Sequence, residues 1–453
     1  MAMLSNRRIT EGVLWKQVLG FFFPILMGSF FQQMYNTVDT IVVGRALGTG
    51  ALAAVGASGP ILSLINGFFM GLSSGATVVL SQCFGAGDHP RVHRVLHTAI
   101  ALAVSLGAAV LGLGIGLAPG ILRRIGTPES CLNDAVLYCR IYFGGALFSM
   151  LYNMGSGILR AMGDSRRPMI YLIVCCAVNI AGDLLLVWAL DFGIAGAAIA
   201  TVLAQGVSAF LVMRALCRGD EDTRLHLKQV RFYPGLMGSI LRIGIPAGIQ
   251  WMMFDLSNLI VQSSINSFGE AAVAAWVTYG KADGITFMIT GSFGITVTTF
   301  VGQNFGAQKY HRMKKSVWVC LGLSMGFLGF FSILEYAFRS QLLGLFTTDP
   351  QVIAVGAEMM AWIVLFNVLF APVEIFGGAM RGVGYSVVPT VVMVVGICVV
   401  RALWVTVLVS RFHTIGMLCL AYPVTWALCS GIFAFLYFRG TWLKKSLGDA
   451  APA

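Results

Sequence analysis

The sequence predicts an all-α integral membrane protein of twelve transmembrane helices, arranged as two bundles of six. Three observations predict this fold. Hydrophobic residues make up 57% of the 453 residues and charged residues only 11%, whereas a soluble domain has roughly a quarter. The chain contains twelve apolar stretches of about 20 residues or more, the length that a membrane-spanning helix needs. Its second half also repeats motifs of its first half at a constant offset in residue number.

Each apolar stretch is bounded by charged or turn-forming residues and is interpreted as one span. In chain order the expected spans cover residues 14–40, 52–80, 94–118, 133–160, 168–190, 194–216, 236–266, 272–302, 316–338, 351–380, 387–410 and 415–438. Arg7 and Arg8 before the first span imitate a signal peptide. The apolar run continues well past the usual length, so we expect it to be retained.

The basic residues predict the orientation. With the amino terminus inside, most of the 30 Lys and Arg residues fall in inner segments. This bias predicts a multi-pass protein of the cytoplasmic membrane with both termini in the cytoplasm. The net charge of +11 is therefore a topology signal, and we expect no nucleic-acid binding.

The repeat divides the chain. The segment Phe84-Gly-Ala-Gly-Asp-His-Pro-Arg91 recurs as Phe305-Gly-Ala-Gln-Lys-Tyr-His-Arg312, an offset of 221 residues, and Arg160 to Ser165 recurs at the same offset. Six spans is an even number, so both halves enter the membrane from the same side and the pseudo-two-fold axis lies along its normal. We expect lobes at residues 1–217 and 236–453, joined by a cytoplasmic linker at 218–235.

Polar residues inside the first half predict an ion site. Gln32, Tyr35, Asn36 and Asp39 follow each other at i, i+3, i+4 and i+7, so they share one face of the first span. A carboxylate within a span is costly and normally faces a cavity or a partner. We interpret this stripe as lining a transport pathway, with a structural hydrogen-bond stripe between helices as the alternative.

Two further spans place polar groups at the depth of Asp39. Asn179 and Asp183 share a helix face, and a rise of about 1.5 Å per residue puts Asp183 and Thr201 at a similar level. Two carboxylates in one dry pocket do not both ionise easily. One should therefore hold a proton, or a cation such as Na⁺ should lie between Asp39 and Asp183.

The second half has a different set of polar residues within its spans. They are Asp255, Asn258, Gln262, Lys281, Asp283 and Glu374. We expect these to be second-lobe or substrate-binding positions, with Lys281 neutralising Asp255 or Glu374. A buried structural ion pair is the alternative.

The repeated motifs resemble those of a known family. Gln82 with Phe84-Gly-Ala, its counterpart Gln303-Asn-Phe-Gly-Ala, and Arg160 and Gly163 with Arg381-Gly-Val-Gly384 are similar to the MATE family of multidrug and toxic compound extrusion transporters. The resemblance covers nearly the whole chain. It implies two bundles that form a V-shaped cleft, and export of organic cations driven by inward flow of H⁺ or Na⁺.

The resemblance also implies roles for individual residues. The amino-lobe cation site it implies consists of Asp39, Asn153, Asn179, Asp183 and Thr201, with helix bends at Pro24 and its repeat partner Pro246. Some family members place acidic residues in the seventh and tenth spans, where this chain has Asp255 and Glu374.

These observations predict a secondary active antiporter that exports amphipathic organic cations in exchange for H⁺ or Na⁺ by alternating access. We expect it to act as a monomer in the lipid bilayer, with no cofactor and no resident metal. A lipid-linked saccharide flippase of similar build is the alternative, but it would carry several cationic residues in its cavity, and only Lys281 and Arg401 lie in spans. A membrane-embedded enzyme would need clustered metal ligands or an activated nucleophile, which the sequence lacks.

Overall fold

The structure is a computed structural model that describes residues 9–220 and 223–449. In these residues the protein is almost entirely helical. The helices of the first half are α1 (Leu14–Ala46), α2 (Gly48–Ala86), α3 (His89–Arg124), α4 (Glu129–Gly144), α5 (Ala146–Ala161), α6 (Arg166–Asp183) and α7 (Gly193–Cys217). Those of the second half are α8 (Pro234–Asn266), α9 (Glu270–Ala282), α10 (Gly284–Gly306), α11 (Tyr310–Ala337), α12 (Arg339–Gly344), α13 (Pro350–Ile363), α14 (Phe370–Gly382), α15 (Val387–Met393), α16 (Val400–Leu403), α17 (Ser410–Phe412), α18 (Ile415–Arg439) and α19 (Thr441–Asp449). Turns of π-helix occupy Leu184–Ala189, Val394–Val399 and Trp404–Val409, and 3-10 turns occupy Leu227–Gln229 and Val364–Leu369.

The helices agree with the predicted spans. Within the described residues, ten helical stretches are long and apolar enough to cross a membrane, and the pair α4–α5, bent by 47°, adds an eleventh. Helix α8 has 33 residues, or about 50 Å, which is also long enough, although it is less apolar. The predicted eighth span differs, because its helix is interrupted at Asp283 between α9 and α10.

The backbone repeats along with the sequence. Positive φ angles occur at Gly48 and Gly269, and again at Gly163 and Gly384, the same pairs that the 221-residue offset relates. A third pair joins Gly87, with φ of 71°, to Gln308, with φ of 58°. Glutamine rarely adopts this conformation. Its presence there shows that the turn geometry is kept in both halves even where glycine is not.

The chain forms two compact units whose boundaries lie inside helices. Unit 1 contains Phe23–Gly248, and unit 2 contains Ile9–Phe22 together with Ile249–Ala453. The two boundaries fall beside Pro24 and Pro246, which lie inside α1 and α8. This division differs from the predicted lobes 1–217 and 236–453, because each unit includes the beginning of the other half's first helix.

Side-chain contacts explain why the start of α1 belongs to unit 2. The ring of Phe22 stacks on that of Phe293 with centroids 4.0 Å apart, and Phe21 meets Phe300 edge to face at 5.7 Å. The guanidinium of Arg312 also donates hydrogen bonds to the segment before α1. Its acceptors are the carbonyls of Ile9, Glu11 and Gly12 and the side-chain oxygen of Gln17, at 2.6–3.2 Å.

The start of α8 packs in unit 1 through glycines. A Cβ atom on Gly71 of α2 would collide with the backbone of Gly248, and one on Gly75 would lie 2.7 Å from the backbone N of Gly244. Glycine lets the two helix backbones approach closely, as small residues do in membrane proteins. The described part of the predicted linker is also attached to unit 1.

That attachment involves one apolar and one polar contact. Leu225 is buried in the hydrophobic core of unit 1, and the backbone N–H of His226 donates to Nε2 of His97 at 3.0 Å. His97 Nδ1 lies 2.7 Å from the carbonyl oxygen of His93. The linker is therefore bound to α3 at this point and is not a free connection.

Candidate functional site

Helices α6 and α7 approach closely beside two of the predicted site residues. A Cβ atom on Gly182 would lie 2.9 Å from the Cβ of Ala200, so the neighbouring residues Asp183 and Thr201 are brought together across the two helices. Asp183 ends α6, and a turn of π-helix follows it directly. Turns of this kind inside helices are frequent at functional sites.

Four predicted residues meet there and form what we call the amino-unit cluster: Asp39, Asn179, Asp183 and Thr201. Asn179 and Asp183 are fully buried, and Asp39 is 7% exposed. Asn179 Nδ2 lies 3.4 Å from Thr201 Oγ1, to which it donates a long hydrogen bond. The carboxyl groups of Asp39 and Asp183 lie close enough to influence each other electrostatically. The similar depth predicted for Asp39, Asp183 and Thr201 agrees with this arrangement.

Oxygen atoms in the amino-unit cluster lack donors. Among the described residues, no N–H or O–H group donates to either carboxyl oxygen of Asp183, to Oδ1 of Asp39 or to Oδ1 of Asn179. Buried oxygens of this kind are unfavourable unless something electropositive satisfies them. They are hard ligands, suited to a proton or to Na⁺. No group of three or more His, Cys, Asp or Glu side chains in the described ranges is placed to bind a metal ion.

Asn153 lies in a second polar network. Its Nδ2 donates to the Ser149 carbonyl at 2.9 Å. Ser149 Oγ bonds to Asn66 Oδ1 at 3.3 Å, and Asn66 Nδ2 donates to the Tyr142 hydroxyl at 3.0 Å. Gln205 Nε2 donates to that same hydroxyl at 3.3 Å. The hydrogen bonds of Asn153 in the described structure thus join this network and not the amino-unit cluster.

The remaining residues of the α1 stripe are more accessible. Gln32 and Asn36 are exposed, and Tyr35 is half-buried and interacts electrostatically with Asp39. Tyr138 of α4 was not predicted, yet it is buried and interacts with both Asp39 and Asp183. No sequence signal distinguishes it from the other aromatic residues of the spans.

Unit 2 contains a second pair of buried carboxyl groups. Asp283 accepts hydrogen bonds from the Tyr279 hydroxyl at 3.0 Å and from Asn367 Nδ2 at 2.9 Å. Thr286 Oγ1 donates to Glu335 at 3.2 Å, and the carboxyl groups of Glu335 and Asp283 interact with each other. We call these five residues the carboxyl-unit cluster. Asp283 was predicted, but Glu335 was missed because it lies near the end of its span, where a carboxylate is unremarkable.

The other second-half candidates do not join this cluster by any hydrogen bond described. Asn258 and Lys281 are exposed, Asp255 is half-buried, and Gln262 donates to Asn266 at 3.0 Å. Glu374 forms an ion pair with Arg381, with 3.2 Å between the nitrogen and oxygen atoms. Lys281 was expected to neutralise Asp255 or Glu374. This is wrong for Glu374 and stays a prediction for Asp255. Arg381 was expected only as part of a repeated motif and was not predicted as the partner of Glu374.

The ion pair between Glu374 and Arg381 is expected to stabilise the folded protein. Their side chains are only 17% and 10% exposed, so removing one partner leaves the other poorly solvated. We expect Glu374→Gln to lower stability by about 1–3 kcal/mol. The double variant Glu374→Gln/Arg381→Gln should recover part of that loss in thermal unfolding of the purified protein. Equal melting temperatures of the wild type and Glu374→Gln would show that the pair has no structural role.

Comparison with known proteins identifies the family. The MatE family profile matches residues 24–185 and 246–407, that is, one copy in each half of the chain. The chain belongs to the MatE family. The predicted resemblance is thereby confirmed, and the two matched ranges begin at the two helix prolines, Pro24 and Pro246.

Relatives of this MatE protein are named as multidrug resistance proteins or as transporters. It is 30% identical to the probable multidrug resistance protein YoeA of Bacillus subtilis (strain 168), over 98% of this chain and 97% of the relative. The structure of an outward-facing multidrug resistance MATE family transporter of the MOP superfamily matches with a TM-score of 0.91 at 20% identity, over 98% of this chain and 100% of the other. A MOP superfamily transporter from Pyrococcus furiosus Vc1 matches with a TM-score of 0.90 at 21% identity, over 98% and 99%.

These matches establish the general class of the MatE protein. It is a multi-pass membrane transporter of a multidrug efflux family and not an enzyme. The likeness to the two solved structures, at 20% and 21% identity, shows the shared helical fold.

Proposed function

We propose that this protein is a secondary active antiporter that exports amphipathic organic cations in exchange for H⁺ or Na⁺, and that the amino-unit cluster binds the coupling ion. The observation that supports this most strongly is the buried, interacting pair Asp39 and Asp183, because three of its four carboxyl oxygens lack donors in the described structure. A proton between the two carboxyl groups, or Na⁺ among the cluster oxygens, would satisfy them.

Such a site can couple ion flow to transport. A bound ion shifts a conformational equilibrium only if its affinity differs between the two states. A pair of carboxyl groups that is neutralised in one state and ionised in the other provides that difference, since a tenfold change in affinity corresponds to about 1.4 kcal/mol. The inward gradient of the ion would then drive the outward movement of cargo by alternating access.

The α1 stripe suits a cationic cargo. Gln32 and Asn36 are exposed and share a helix face with Asp39, so they are available to a bound molecule. Tyr35 on the same face offers an aromatic ring, and such rings attract flat organic cations. We further propose that the protein acts as a monomer in the cytoplasmic membrane with both termini inside, in accordance with the positive-inside distribution.

The test is transport by the purified protein in liposomes. A fluorescent lipophilic cation is the probe, and either a pH gradient or a Na⁺ gradient is imposed alone. We expect one of the two gradients to drive accumulation of the probe, and an ionophore for that ion to abolish it. Empty liposomes are the control for passive uptake. The double variant Asp39→Asn/Asp183→Asn is the control for coupling.

Two outcomes would contradict the proposal. Accumulation that depends on neither gradient would rule out secondary antiport of this cargo. Gradient-driven accumulation that persists in the double variant would move the coupling site elsewhere, with the carboxyl-unit cluster as the next candidate. Movement of a labelled lipid-linked saccharide in the same liposomes, without movement of the cation, would favour the flippase.

A further inference from the structure

A buried arginine in unit 2 has no role in the proposed coupling site. Arg401 lies in the short helix α16, between the π-helical turns Val394–Val399 and Trp404–Val409. Its exposure is 0%, and it is the largest fully buried side chain in the described part of the chain. A charge in this position needs a compensating charge or hydrogen-bond partners, because water cannot reach it.

The contacts of Arg401 satisfy only part of its guanidinium group. Nη2 lies 3.3 Å from Thr425 Oγ1, to which it donates. The guanidinium carbon lies 4.0 Å from the centre of the Tyr422 ring. This cation–π contact covers one face of the planar group but uses none of its N–H bonds. Nε and Nη1 have no acceptor among the described residues.

No described carboxylate is paired with Arg401. The groups with the largest electrostatic effect on it are the hydroxyls of Tyr279 and Tyr422 and the thiols of Cys398 and Cys429, all of which are ordinarily neutral. It forms no ion pair with the described residues. Asp283, which Tyr279 contacts, already accepts two hydrogen bonds within the carboxyl-unit cluster.

A second residue whose donor lacks an acceptor is Trp426, in α18 (Ile415–Arg439). Trp426 follows Thr425 directly, and its ring packs against that of Tyr422 with centroids 5.7 Å apart. The Trp426 side chain is 2% exposed, and its Nε1–H has no partner in the described structure. An indole nitrogen can only donate. Three buried nitrogen atoms thus lack acceptors, two in Arg401 and one in Trp426. Both residues pack on Tyr422.

We propose that unit 2 binds a compact monovalent anion at Arg401, either a halide or the carboxylate of an organic solute. Such a group accepts several N–H donors at once and neutralises one guanidinium. A divalent group would leave a buried excess of negative charge. This site is separate from the amino-unit cluster in location and in the sign of its ligand, so the proposal does not depend on which cation is coupled.

Direct binding tests the proposal. Purified protein in detergent is titrated with chloride-36 at fixed pH, with sulfate maintaining the ionic strength. We expect saturable binding with a single class of site in the wild type. Arg401→Gln should lose it, and Arg401→Lys should keep it with lower affinity. The matched control is Arg411→Gln, which removes an exposed arginine of the same segment and should bind as the wild type does.

Competition distinguishes the two sources of the anion. If formate or acetate displaces chloride-36 at lower concentrations than unlabelled chloride does, the natural ligand is a carboxylate. If the halides are the stronger competitors, it is an inorganic ion. Should Arg401→Gln fail to fold, the wild type and Arg401→Lys still decide the question. The wild type must then show a saturable rise in melting temperature with chloride, as ligands of the native state produce.

The proposal is overturned if the wild type shows neither saturable chloride-36 binding nor any stabilisation by chloride, formate or acetate. It is also overturned if a folded Arg401→Gln variant binds chloride-36 as the wild type does. A non-saturable change in melting temperature, equal in Arg401→Gln and the wild type, would be a general salt effect and would count against the site.

Discussion

Replacing Asp39 by asparagine should strongly reduce gradient-driven efflux while leaving the protein folded. Asparagine keeps the size of the side chain, but it fixes the group in a neutral state that cannot exchange a proton or balance Na⁺. The interaction with Asp183 then no longer depends on the coupling ion. We expect efflux in gradient-energised liposomes to fall by about a hundredfold, which corresponds to about 2.7 kcal/mol of lost coupling. Equilibrium binding of a lipophilic cation should persist.

Asp183→Asn should resemble Asp39→Asn, and the double variant should be little worse than either single variant. Residues that act in one site are not additive in their effects. Asp134→Asn is the matched control, because Asp134 is exposed on α4 and receives the same substitution. Normal active efflux by Asp39→Asn would contradict the assignment. Fully additive losses would show that the two carboxyl groups act independently.

The variant Gly71→Ala should fail to assemble unit 1. Its new methyl group would overlap the backbone N of Gly248, and a backbone clash cannot be relieved by rotating a side chain. The start of α8 would therefore have to move away from α2. Overpacking of a core costs about 1–3 kcal/mol, and we expect a value at or above the upper end. Size-exclusion profiles and melting temperatures of fluorescently tagged protein measure the effect.

Gly59→Ala is the control on the same helix. A Cβ atom at Gly59 would have no atom within 4 Å, so the identical substitution should be neutral or slightly stabilising. A normal profile for Gly71→Ala would mean that the approach of α2 to the start of α8 is not needed for folding. If both variants failed to fold, α2 would be generally intolerant of substitution by alanine.

Much of the fold follows from the sequence because the physical signals are strong. Long apolar stretches must be helical in a bilayer, since no other backbone hydrogen-bond partners exist there. The constant offset of the repeated motifs then divides the helices between two halves. Neither signal shows which bundle one end of a helix packs against. For that reason the placement of Ile9–Phe22 in unit 2 could not be predicted.

The candidate site was partly predictable for a similar reason. Helical spacing placed Asn179 and Asp183 on one face, and the rise per residue placed Asp39 at their level. Spacing cannot identify partners that are distant in sequence and ordinary in type. Glu335 and Tyr138 are examples, because one is a carboxylate near the end of a span and the other is one of many aromatic residues. Arg381 was named only as part of a repeated motif, yet it neutralises Glu374.

The exchange of helix ends between the units restricts how a chain of this design could have arisen. A protein of half the length would not complete its own bundle, because the beginning of its first helix has its packing partners in the other unit. Two copies could complete both bundles by exchanging these segments, which is domain swapping. The present chain has the connectivity of such a swapped dimer after fusion of its copies. A cut in the linker would yield two fragments, neither of which contains all the residues of one bundle.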